Sequence, residues 1–146
     1  MRNKFDTFYL SSKKLDKEWV IVDVDGSTLG RVASKIAAIL RGKNKPNFQP
    51  NMDNGDYVVV VNAGKVKVTG RKTQDKLYHK YTGYPGGINT TNFQEMMNAK
   101  PERALELAVK NMLPKGRMGR ELYRNLHIYG GAEHPHTAQK PKQVVL

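Results

Sequence analysis

Two short apolar runs bracket a helical pattern, and their order narrows the fold more than any other feature of the chain. Residues 19–24 read WVIVDV and residues 57–62 read YVVVVN. Each is nearly continuous in apolar residues. That is expected of a strand covered on both faces rather than one with a wet side. Between them, Leu29, Val32, Ala33, Ile36, Ala37 and Leu40 recur at helical spacing and make one apolar face. Asp25-Gly26-Ser27 turns the chain ahead of this pattern, and Ser27 or Thr28 can cap it. Gly42 and Pro46 stop it. Strand, amphipathic helix and buried strand in succession predict a βαβ unit with parallel strands and a right-handed crossover.

The rest of the chain adds smaller pieces. Residues 65–69, KVKVT, alternate, as a short strand with lysines on one side or as the edge of a loop. Residues 77–82, LYHKYT, and 88–93, INTTNF, flank Tyr84-Pro85-Gly86-Gly87, a turn that predicts a hairpin. Pro101 suits the first turn of a second helix, which would bury Ala104, Leu105, Ala108, Val109 and Met112 and end at Pro114. A short helix around Gly119–Arg124 and a strand at Leu126–Tyr129 follow. No internal repeat is present. The prediction is a single α/β domain over residues 1–146. Its core is a small, mainly parallel sheet flanked by helices as an α/β/α sandwich, from which the hairpin projects. Residues 1–17 and 131–146 read as extended or irregular segments, with Phe5, Phe8, Tyr9 and Leu10 as possible anchors in the first.

Charge narrows the partner. Lys and Arg number 25 against 13 acids, a formal net charge of +12 on 146 residues. Such a body repels itself, and a polyanion relieves the repulsion. Only 38% of residues are hydrophobic, which suits a surface facing a polar partner. Nucleic acid leads. An anionic membrane comes second, but no long segment pairs a basic face with a face of large apolar residues. Basicity that serves solubility alone is the plainer alternative. The cations fall in three clusters: Arg31, Lys35, Arg41, Lys43 and Lys45; then Lys65, Lys67, Arg71, Lys72, Lys76 and Lys80; then Lys110, Lys115, Arg117, Arg120 and Arg124. Three clusters separated by apolar segments suggest a folded body touching phosphate at several points. The chain lacks cysteine, a run of about 18 apolar residues and the apolar stretch of a signal peptide, so a soluble cytoplasmic protein is expected.

Several groupings invite a chemical reading. Gly26–Gly30 opens a helix, where either capping or phosphate binding would fit, but it matches no nucleotide-binding fingerprint. His134-Pro135-His136, with His127 and Glu133, could be metal ligands. The spacing and the lack of thiols favour a structural loop, or one contacting RNA. Asp23, Asp25, Asp53 and Asp56 sit near turns, and turn or cap roles account for them without acid–base catalysis. No nucleophile elbow appears, so no catalytic residue, metal or cofactor is assigned. An RNA-processing enzyme using the His134–His136 loop, or a regulatory protein acting on a messenger, are the rival readings. Tyr78, His79, Lys80, Tyr81 and Tyr84 interleave aromatics with cations, as in base-stacking surfaces or in a half-buried strand. In residues 114–124, Lys115, Arg117, Arg120 and Arg124 surround two glycines against one acid, Glu121. Guanidinium groups there can fork onto phosphate oxygens, and Arg120 and Arg124 lie one helical turn apart.

Three segments resemble one family. Residues 19–48 (WVIVDVDGSTLGRVASKIAAILRGKNKPNF), 55–87 (GDYVVVVNAGKVKVTGRKTQDKLYHKYTGYPGG) and 108–141 (AVKNMLPKGRMGRELYRNLHIYGGAEHPHTAQKP) are similar to the bacterial-type ribosomal protein thirteen of the large subunit. The likeness runs in order along nearly the whole chain. It implies an α/β/α body, direct and early binding to large-subunit ribosomal RNA, neighbouring ribosomal proteins as partners, and a structural role without an active site. By the same resemblance, Arg71 and Lys72, the TGYPGG segment with Tyr84, and Lys115, Arg117 and Arg120 are expected at the RNA. Lys76, Lys80, Arg124, Arg41, Lys43 and Lys45 complete the expected contact set, with no membrane or small-molecule partner.

Overall fold

Both apolar runs form strands, and the segment between them forms the helix. The computed structural model describes residues 15–145. The anchors expected at Phe5, Phe8, Tyr9 and Leu10 lie outside them. Strand β1 (Trp19–Asp23) and strand β2 (Tyr57–Val61) pair in parallel, with Trp19 opposite Tyr57 and Val22 opposite Val60. Helix α1 (Leu29–Arg41) connects them and buries the six residues its spacing predicted, together with Ile39. Thr28 is its N-cap by backbone, but its side chain makes no capping hydrogen bond. The chain is instead fixed there by a parallel bridge: Lys67 N donates to Ser27 O at 2.9 Å and Leu29 N donates to Lys67 O at 2.9 Å. Beside that bridge, Gly26 N donates to Lys65 O at 3.3 Å. The alternation of KVKVT is real, with Val66 buried and Lys65 and Lys67 exposed, but it forms no strand.

Gly42 closes α1 with φ at 77°, its N–H reaching Ile39 O while Lys43 N–H reaches Ala38 O. The loop beyond folds back tightly, and Gly55 lies directly against the Leu40 carbonyl. After β2 come a short helix α2 (Lys72–Asp75), strand β3 (Leu77–Tyr81) and strand β4 (Ile88–Asn92). The last two pair antiparallel as a separate hairpin, as predicted. Helix α3 (Phe93–Ala99) follows at once, a helix not anticipated from the sequence, and packs Phe93, Met96 and Met97 on the core. Its signal is Asn92-x-x-Glu95. The Asn92 side chain accepts from Glu95 N at 2.8 Å and the Glu95 side chain accepts from Asn92 N at 3.1 Å, a capping box.

Helix α4 (Pro101–Met112) starts on its proline and buries Ala104, Leu105 and Val109. Met112, expected in the core, is exposed, because the chain turns at Leu113 and that residue is buried instead. Helix α5 (Arg117–Arg124) leads into strand β5 (Leu126–Ile128), which pairs in parallel with β2. The tail is less irregular than expected: strand β6 (Lys142–Gln143) pairs in parallel with β1. The sheet order is β5-β2-β1-β6, all parallel.

Helices flank this sheet, and their buried residues share one cluster with Val20, Val22, Val58 and Val60. On the opposite face the residues 131–140 segment brings His136 against Trp19 at 5.0 Å and His127 at 4.6 Å between ring centroids. No helix among the described residues is long and apolar enough to cross a membrane.

Candidate nucleic-acid interface

The basic turn after α4 is built by close packing. Pro114 ends the helix, and Gly116 takes φ at 127°, a conformation open to glycine. Gly119 sits so close to the Pro114 carbonyl that a Cβ there would lie 1.7 Å from its oxygen. Leu122 is buried in the core and fixes the inner side of α5. Lys115, Arg117, Arg120 and Arg124 are all exposed on the outer side. Arg117, 93% exposed, reaches Glu121 at 3.3 Å, and an exposed pair of that kind holds weakly. Lys110, Lys115, Arg120 and Arg124 line a groove of about 520 Å³ with Tyr123 and Asn111, and Lys110 lies over the Tyr123 ring at 5.9 Å.

A second groove, of about 780 Å³, opens on the other side of Asn111. Lys72 and Lys76 line it with Arg31, Leu77, His79 and Met112. Lys76 is half-buried over the Tyr78 ring at 5.2 Å. Arg71 and Lys80 are exposed nearby in the chain, Arg71 at 3.7 Å from Asp75, and Tyr84 stands out at the hairpin tip. Asn111 lines both grooves, so the cations of α2 and of α5 flank the end of α4. Arg31 and Lys110 belong to the basic clusters of the sequence, where nothing distinguishes them from their neighbours; only the fold shows that they line these grooves.

Arg41, Lys43 and Lys45 are elsewhere. Arg41 is the last residue of α1 and Lys43 and Lys45 follow it, whereas Thr28–Arg31 at its start line the second groove. A helix of that length separates them by about 15 Å. Arg41 is half-buried over the Phe48 ring at 5.8 Å, and Lys43 is exposed. Lys45 turns inward. Its ammonium, on a side chain 18% exposed, pairs with Asp56 at 2.6 Å and donates to Asp16 O at 2.6 Å. The structure therefore brings two of the basic clusters together with Arg31 of the first, and leaves Arg41, Lys43 and Lys45 at the other end of α1.

The residues considered for catalysis or metal binding have other engagements. Asp23 accepts from Asp25 N at 3.1 Å and from Asn62 Nδ2 at 2.9 Å; these hydrogen bonds, that of Asn62 first, hold its carboxyl below the usual range. Asp25 pairs with Lys65 at 2.7 Å. Asp53 pairs with Lys17 and accepts from Asn125, and Asp56 also accepts from Glu18 N at 3.0 Å. His136 Nε2 is 2.8 Å from the Tyr129 hydroxyl, within a stack that includes Trp19, Tyr57 and His127. Burial, and then the neighbouring His136, push the His127 imidazole down. Among the described residues no three His, Asp or Glu side chains are grouped to hold a metal.

Residues 17–135 match the family model described as Ribosomal protein L13. Among curated relatives, a protein of Coxiella burnetii described as "Large ribosomal subunit protein uL13" is 56% identical over 140 residues, covering 96% of this chain and 99% of that protein. Proteins with the same description from Symbiobacterium thermophilum and Stutzerimonas stutzeri are 54% and 51% identical. They cover 93% and 96% of this chain, and 95% and 99% of their own lengths. With its parallel sheet, its flanking helices and a match over nearly its whole length, the chain belongs to the ribosomal protein L13 family.

Proposed function

We propose that this chain is a structural protein of the large ribosomal subunit that binds large-subunit ribosomal RNA directly and supports early subunit assembly. The observation that carries the reading is the pair of cation-lined grooves on either side of Asn111. Apart from the half-buried Lys76 their lysines and arginines are exposed, and the acids beside them are few. Cations carried on an already ordered backbone neutralise phosphate without the chain refolding on binding. Phosphate contacts position the body and RNA shape supplies specificity. Neighbouring ribosomal proteins are further partners, the cytoplasm is the compartment, and the role needs no catalysis and no small-molecule substrate or cofactor.

Arg117, Arg120, Arg124, Lys115, Arg71 and Lys72 are the proposed principal contacts, with Lys76, Lys80 and Tyr84 on the hairpin side. Arg41 and Lys43 form a separate point of contact, and Lys45 supports the loop that carries Lys43. Two measurements test this. The chain should sediment with large subunits through a high-salt wash; recovery only in the free fraction would contradict the reading. Replacing Arg117 and Arg120 by Ala should weaken RNA binding and lower the slope of log affinity against log salt by about 2, since two phosphate contacts are removed. An unchanged slope would remove those residues from the interface.

A further inference from the structure

We propose that the β3–β4 hairpin is a stacking arm whose outer face seats unpaired nucleotides, while the α5 cations hold phosphate alone. This rests on the RNA-binding reading above and adds how the second contact is made. The pairing register puts Tyr81 opposite Ile88 and Leu77 two steps of the pleat away, on the same face. Leu77 is 53% exposed, Tyr81 63% and Ile88 62%, and Tyr84 at the tip is 75% exposed. A two-stranded ribbon is marginal by itself in water, and one that exposes Leu77, Tyr81 and Ile88 around the polar His79–Thr90 pair, 2.9 Å apart, marks a mixed contact surface.

The arm is held rigidly from its other side. Tyr78, on the inner face, packs against the core. Phe93 N donates to Lys76 O at 3.0 Å, and Phe93 itself is buried. The tip is fixed as well. Thr82 N donates to Gly87 O at 2.9 Å and Gly87 N donates to Tyr84 O at 2.9 Å. Gly83 and Gly86 take φ of 97° and 72°, and a Cβ on Gly87 would lie 2.1 Å from Thr82 Oγ1. Tyr84 is thus displayed outward by a built turn. A surface already ordered loses little entropy on binding.

Charge selects the occupant. Arg71 and Lys72 lie beside the arm, and Lys76 and Lys80 flank it from the Tyr78 side, against Asp75, which Arg71 faces at 3.7 Å. A nucleotide offers a flat face to a tyrosine and a phosphate to a lysine at the same time. Bases paired inside an A-form helix do not present those faces, so the occupant is a loop, bulge or strand end.

The test compares wild type with the double variants Tyr81→Ala/Tyr84→Ala and Tyr81→Phe/Tyr84→Phe. Affinity for large-subunit ribosomal RNA is measured over a potassium chloride series, with chemical probing of unpaired nucleotides. The Ala variant should bind about tenfold or more weakly at every salt concentration with an unchanged salt slope, because stacking releases no counterions. The Phe variant should recover most of the affinity. Wild type and the Phe variant should shield a set of unpaired nucleotides that the Ala variant leaves reactive. Equal binding by the Ala variant, a loss that comes with a reduced slope, or cross-links from the arm to a neighbouring protein alone would each overturn the stacking arm. Wild type that fails to bind the RNA would instead overturn the RNA reading itself.

Discussion

Gly119 occupies a position where no side chain fits, and Gly30 one where a side chain would meet nothing. A Cβ on Gly119 would lie 1.7 Å from the Pro114 oxygen, a backbone atom that cannot rotate away. Gly119→Ala should therefore cost about 3 kcal/mol in chemical denaturation and displace the cations of α5. Gly30 lies in the first turn of α1, and a Cβ added there would have no neighbouring atom within 4 Å, so Gly30→Ala should stabilise by about 0.3–0.5 kcal/mol, less than at a helix centre. The sequence shows two glycines among arginines but not which one is packed against backbone; that depends on the path of the chain around Pro114. His127 gives a pH test. Burial lowers its folded value, so the unfolded chain binds the proton more readily. The associated stability is complete above the unfolded histidine value of about 6.5 and is lost as pH falls through the folded value. Thermal midpoints should drop between pH 7.5 and 5.5, and His127→Phe, which keeps a ring in the stack, should flatten that drop.

Among the elements, the α1 spacing is legible because a helix face is written every three to four residues and the core reads the same stripe. The hairpin is legible from its turn residues. Helix α3 has its signs in the Asn92–Glu95 cap and in Phe93, Met96 and Met97, too short a run to stand out beside the hairpin pattern. Because the cap sits where β4 becomes α3, Asn92→Ala should lose about 1 kcal/mol. Amide exchange should rise across Asn92–Ala99 and along the hairpin anchored to it, while α1 stays protected. Exchange that rises equally in α1 would show that the cap is not local in its effect.

For the molecule as a whole, the three basic clusters of the sequence have different fates. Two meet on either side of Asn111, and the third is divided by α1, with Arg31 in a groove and Arg41, Lys43 and Lys45 at the far end. Within that third cluster Lys45 serves the fold: Asp56 is only 6% exposed and pairs with it. Lys45→Ala should cost about 2 kcal/mol by stranding that carboxylate, whereas Lys43→Ala, at an exposed site, should leave the denaturation midpoint unchanged. A Lys45 variant as stable as wild type would make the pair a surface decoration. The βαβ core, the hairpin, the ends of α1 and α4 and the excess of positive charge are all written in the linear chain. Those features are encoded by residues within a few positions of one another, through periodicity, caps and turn chemistry. Other features exist only once the chain has folded: β6 joins β1, His136 stacks on Trp19, Met112 faces outward, and some cations but not others are free to meet a phosphate. Each of these depends on segments far apart in the chain meeting in space, and no local pattern carries that information.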